Sequence, residues 1–140
     1  RLDYEKIKSH VLIVIAKDQG TPAKRNYAKI IVTVFDHNDH NPEFTSKILQ
    51  SKIPESSTIG SKVVQLNAID RDSGQNGEIK YSIVSGNVGN VFEIDSIVGT
   101  IFLSQTLNIM QIQEYMLQVK AVDCGNPHCS SHCVCSPKFR

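Results

Sequence analysis

The chain has 140 residues, 15 Lys and Arg against 14 Asp and Glu, a formal net charge of +1, and 40% hydrophobic residues. That length suits one domain or parts of two, and so even a charge balance leaves no electrostatic footprint for nucleic acid or an anionic membrane surface. No apolar run approaches the roughly 20 residues of a membrane span, and the opening RLDYEKIKSH lacks the layout of a secretory leader.

In chain order the sequence predicts strands: VLIVIA (11–16), AKIIVTVF (28–35), KVVQLNAI (62–69), EIKYSIV (78–84), shorter pieces around Phe92 and Ile101, and EYMLQVKAV (114–122). The period-two alternation is clearest where Ile79, Tyr81 and Ile83 oppose Lys80 and Ser82, and where Tyr115, Leu117, Val119 and Ala121 oppose Glu114, Gln118 and Lys120. Gly, Pro, Asn and Asp clusters separate the runs, as turns require. The reading is an all-β chain.

An offset of 105 residues aligns Leu2 with Leu107, Leu12 with Leu117, Val14 with Val119, Ala16 with Ala121, Asp18 with Asp123, Gly20 with Gly125 and Pro22 with Pro127. A repeat of about 100 residues is the size of an immunoglobulin-like sandwich. Three segments follow: 1–40, the C-terminal part of a first module with its connector; 41–127, a second module; and 128–140, a tail holding Cys and His. The counterpart of AKIIVTVF should begin soon after Pro127, and HCSSHCVCSPKFR stands there instead. The second sandwich is therefore expected to lack its last strand and to leave a sheet edge unpaired, with the tail disordered. All four cysteines fall in the last seventeen residues, so the body folds without disulfides; a disulfide within the tail stays open for an extracellular chain.

The connector VFDHNDHNPEF crowds Asp36, Asn38, Asp39, His40 and Asn41 together ahead of Pro42. Loops expected at the same end of the sandwiches add Asp3, Glu5, Asp70, Asp72 and Asp123. Like charges 4 Å apart repel by about 4 kcal/mol at an effective dielectric of 20, so seven gathered carboxylates need a cation. Asp, Glu, Asn and backbone carbonyls suit a hard ion with about six to eight oxygen ligands, which favours calcium over magnesium.

The motifs LDYE, AKDQGTP, DHNDHNP, IPES, DRDSGQNG and AVDCGNP, in this order, resemble those of cadherin repeats over residues 1–127, and most closely those of long Fat-like or protocadherin-like members. The resemblance implies tandem Greek-key β-sandwiches with three calcium ions at the connector. It assigns Asp3, Glu5 and Asp39 to the outermost ion, and Glu5, Asp36, Asp39, Asp72 and the backbone oxygen of His37 to the middle one. The third would take Asn38, Asp70, Asp72, Asp123 and the backbone oxygens of His40 and Asn76. His40 replaces the family's usual Asn, a mild change for a residue used through its carbonyl. The first module's own Pro-Glu glutamate would lie upstream of Arg1, so the third ion is expected to bind best. Glu55 would serve a following connector, where Asn108 and Met110 replace the acidic pair, and no second cluster is expected there.

The implied function is calcium-dependent cell–cell adhesion through homophilic or heterophilic contact with other cadherin ectodomains. The location would be the extracellular region of a plasma-membrane protein, touching the membrane only through its parent. A calcium-stiffened spacer or receptor-ligand segment is the alternative. The residues themselves exclude an EF-hand, since the sixth and twelfth positions of DHNDHNPEFTSK are Asn41 and Lys47. The tail matches no zinc spacing, and no nucleophile is set beside a base. Neither an enzyme nor a small-molecule substrate is expected.

Overall fold

Most of the period-two alternation becomes strand in the computed structural model, which describes residues 1–107 and 114–139. The chain divides into two units, Arg1–His37 and Asn38–Arg140. In the first, β1 (Ser9–Lys17) and β2 (Arg25–Thr33) form an antiparallel hairpin with Leu12 opposite Ile30 and Val14 opposite Ala28. Asp18 closes its loop, Oδ1 accepting from the backbone N–H groups of Gly20 and Lys24, each at 2.9 Å.

The second unit is a Greek-key sandwich. One sheet runs β4 (Ile48–Ile53), β11 (Ser130–Phe139), β10 (Leu117–Asp123), β7 (Ile79–Ser85). The other runs β5 (Lys62–Gln65), β9 (Thr100–Leu103), β8 (Phe92–Ile94), and a small pair joins β3 (Glu43–Phe44) to β6 (Ala68–Ile69). Between the sheets lie Ile53, Leu66, Phe92, Ile101, Leu103, Leu117, Val119, Cys133 and Cys135, all buried. A fully buried Leu or Val of this kind contributes about 1.5–3 kcal/mol relative to an exposed one. At the end where β11 finishes, Tyr115 packs edge-on to Phe92 and Phe139, with centroids 5.0 and 5.6 Å away.

Three expectations change. KVVQLNAI is two strands rather than one: Leu66 N–H turns to the Gly99 carbonyl and the Asn67 carbonyl accepts from Thr45, so the chain leaves β9 for β3. The strand β4 is additional; its inward positions Leu49, Ser51 and Ile53 include a serine, which broke the alternation. The largest correction concerns the tail.

Far from being disordered, Ser130–Phe139 is β11, and the second sandwich does not lack this strand. It lies inside its sheet, antiparallel to β10 and parallel to β4, so the edges are β4 and β7. Leu117 pairs with Cys135 and Val119 with Cys133, the register of β1 on β2 carried forward by one repeat. Cys133 and Cys135 occupy the positions of Ala28 and Ile30, and as buried free thiols they act as small apolar side chains. Burial pushes both thiols up to about 11. Pro137 sits level with Tyr115, ahead of β10; its carbonyl accepts from Tyr115 N–H at 3.1 Å, and its missing N–H costs one ladder bond. Among the described residues, no helix is long and apolar enough to cross a membrane. Asn108 and Met110 lie outside the described residues.

Candidate functional site

The end of the second unit where β10 finishes and β11 begins collects oxygen-bearing side chains from three segments. From the start of the unit comes Asn38, 7% exposed, whose Nδ2 donates to the Pro127 carbonyl at 2.6 Å. The loop between β6 and β7 brings Asp70 and Asp72; Asp72 N–H donates to Asp70 Oδ1 at 3.0 Å, closing an Asx-type turn. A Cβ on Gly77 would overlap the Asp72 carbonyl, so only glycine lets this loop fold back on itself.

The third segment is the β10–β11 loop. Asp123 is buried and satisfied by its own loop: Oδ1 accepts from Gly125 N–H at 3.0 Å and Oδ2 from Cys129 N–H at 2.9 Å. This repeats the Asp18 arrangement one repeat later. Cys124 N–H donates to the carbonyls of Gln75 and Glu78, tying this loop to the Asp70–Asp72 loop. Gly125 presses against Asn38 and Asn76, and a side chain there would run into the Asn38 amide. Burial pushes the Cys129 thiol above its ordinary value, and the charge of Asp123, its hydrogen bond, and the charges of Asp70 and Asp72 push it the same way. All three carboxylates thus act on one point.

His40 meets Asp72 twice, its backbone N–H donating to Oδ2 at 3.1 Å and its ring Nδ1 lying 2.5 Å from Oδ1. The same Nδ1 is 3.0 Å from Oδ1 of Asp39, whose side chain is half exposed. The family resemblance assigns His40 only a main-chain role, and nothing in DHNDHNP signals its ring. His128 Nδ1 stands 3.8 Å from Asp123 Oδ1. Among the described residues no Lys or Arg nitrogen forms an ion pair with Asp70, Asp72 or Asp123.

The remaining expected ligands, Asp3, Glu5, Asp36 and His37, belong to the first unit. Asp3 binds Lys6 there, Oδ2 lying 2.5 Å from Nζ and Oδ1 accepting from Lys6 N–H at 3.2 Å. The Lys6 ammonium holds the Asp3 carboxyl below its usual range.

Whether this donor set fits a cation turns on its unspent oxygens. Asn38 Oδ1 and Asp70 Oδ2 are buried with no hydrogen-bond partner. A buried acceptor left so costs about 1–3 kcal/mol. The Asn38 amide is oriented by its donation to Pro127, which leaves Oδ1 as the free atom. A neutral amide oxygen and an anionic carboxylate oxygen left without partners at this end of the unit, with no ammonium or guanidinium paired to Asp70 among the described residues, are hard-cation chemistry, and they fit calcium.

A two-sheet, mostly antiparallel Greek-key sandwich, preceded in the chain by an Asp- and Asn-rich connector and a hairpin with the register of β10–β11, is a module of the immunoglobulin-like β-sandwich class. The model of the Cadherin domain matches residues 49–136, which include most of β11, and the chain belongs to the cadherin family. It is 69% identical over 131 residues to the Fat-like cadherin-related tumor suppressor homolog of Drosophila melanogaster, covering 94% of this chain and 3% of that protein. Protocadherin Fat 1 of Homo sapiens is 46% identical over 127 residues, covering 91% of this chain and again 3% of the relative. The chain thus spans a small fraction of these relatives. Among solved structures, mouse Cadherin-23 EC22-24 superposes with a TM-score of 0.94 at 25% identity, covering 99% of this chain and 44% of that one. Cadherins are adhesion proteins, not enzymes, and this chain is not an enzyme.

Proposed function

We propose that the second unit binds calcium at its Asn38, Asp70, Asp72 and Asp123 end, and that the chain is a segment of an extracellular protein in calcium-dependent cell–cell adhesion. The observation that carries this reading is the pair of buried, unpartnered acceptors, Asn38 Oδ1 and Asp70 Oδ2. The backbone oxygens of His40 and Asn76 would complete the set, with Asp3, Glu5, Asp36, Asp39 and the His37 carbonyl serving further ions. When bound, calcium supplies positive charge that offsets repulsion among the carboxylates. The chain's own residues do the rest: Asp70 fixes Asp72 through its N–H, Gly125 admits Asn38, and the Gly125 and Cys129 amides hold Asp123.

Stiffening successive modules in this way keeps a long ectodomain extended for homophilic or heterophilic contact with other cadherin ectodomains. The parent protein would carry the segment outside the plasma membrane, where millimolar calcium fills sites of about 10⁻⁴–10⁻³ M affinity. Thermal unfolding tests this. Calcium at about ten times its Kd should stabilise the unit by about 1.4 kcal/mol, raising Tm by several degrees. Asp72→Asn should lose most of that shift, while Glu114→Gln, near the other end of the sheet, should keep it. Equal shifts in both variants, or none in the wild type, would refute the reading.

A further inference from the structure

We infer that the His40 side chain competes with calcium for Asp39 and Asp72 and thereby lowers the affinity for the ion that these two carboxylates share. This rests on the calcium reading above. The ring Nδ1 lies 2.5 Å from Asp72 Oδ1 and 3.0 Å from Asp39 Oδ1, a single atom lodged between two carboxylates. Nitrogen so close to a carboxylate oxygen carries its proton, because facing lone pairs would repel. The ring therefore presents one N–H to two anionic oxygens.

A cation shared by those oxygens would stand roughly 2.3–2.6 Å from each. The imidazole nitrogen already fills that space. Ring and ion exclude one another at this position, and calcium entry has to break a charge-assisted hydrogen bond to a carboxylate whose side chain is fully buried.

Two features let the exchange proceed without dismantling the loop. The His40 backbone N–H holds Asp72 Oδ2 at 3.1 Å independently of the ring, so Asp72 stays anchored when the imidazole swings away. The His40 side chain is 34% exposed, which gives the ring a path into solvent. An alanine here keeps the backbone donor and removes the competitor. A hydrogen bond to a charged group, set against its replacement by water, translates to about a tenfold gain in affinity.

The test is calorimetric calcium titration of the full chain as wild type, His40→Ala and His40→Asn, with Asp72→Asn as the control that disables the site. Both His40 variants should bind about tenfold more tightly. In the wild type, the His40 imidazole NMR signals should move with the same calcium midpoint as the heat. Weaker binding in the variants would mean that the ring orients Asp72 for the ion, and unchanged binding would make it a bystander; either result overturns the inference while leaving the calcium reading intact. No saturable binding in wild type and variants alike would remove the calcium reading, and this inference with it.

Discussion

The hairpins β1–β2 and β10–β11 share a register, an Asp-closed loop and a spacing of one repeat, yet their inward residues meet opposite fates. Leu12 is 50% exposed where Leu117 is 0%, and Val14 is 48% exposed where Val119 is 0%. The strands and loops are therefore local properties of the sequence, set by alternation and by an aspartate that caps its own turn. Burial is not local. In the second unit it comes from Phe92, Ile101 and Leu103 of the facing sheet, and the first unit has no such sheet among the described residues.

The sharpest way to break this comparison is to truncate equivalent leucines. Leu117→Ala should cost about 2–5 kcal/mol in urea unfolding, because it opens a cavity in a closed core. Leu12→Ala should cost within about 0.5 kcal/mol, as an exposed substitution does. Similar losses at both positions would mean that the first hairpin is packed as the second is.

Equivalent glycines give a middle-sized test. Gly125→Ala drives a methyl into the Asn38 amide and should cost about 1–3 kcal/mol, and it should also blunt the calcium-induced rise in Tm. Gly20→Ala meets the Asp18 carboxylate oxygen at 3.2 Å and nothing nearer, and should cost less than about 1 kcal/mol, with calcium response intact. Equal penalties would deny that loop packing around Asn38 is special to the second unit.

The smallest effect leaves stability untouched. Cys133 and Cys135 are buried with thiols near 11, so only on the order of one in a thousand is thiolate at pH 8. Iodoacetamide followed by mass spectrometry should modify the half-buried Cys124 ahead of both and reach Cys133 and Cys135 only in urea. Uniform labelling of the native chain would contradict the position of β11 inside the sheet.

How much of this could be read in advance follows the same division between local and non-local. The repeat announced β1, β2 and β10, and the motifs named the oxygen-bearing loops. β11 stayed hidden because its inward positions are Ser131, Cys133, Cys135 and Pro137, which read as ligands and a breaker rather than as an apolar stripe. β4 was hidden by Ser51. At the site, the contacts that join the loops were not legible: Asn38 on Pro127, Gly125 against Asn38 and Asn76, Cys124 on Gln75 and Glu78. Each depends on folded distance, and no spacing in the chain encodes it. The His40 ring was missed for a related reason, since the resemblance supplied only a backbone role.

The most direct test of the calcium claim is anomalous diffraction from crystals of this chain grown with calcium. The account predicts a peak roughly 2.3–2.6 Å from both Asn38 Oδ1 and Asp70 Oδ2. Crystals in saturating calcium with no peak there, and with those two oxygens bound instead to water or to a lysine, would contradict it.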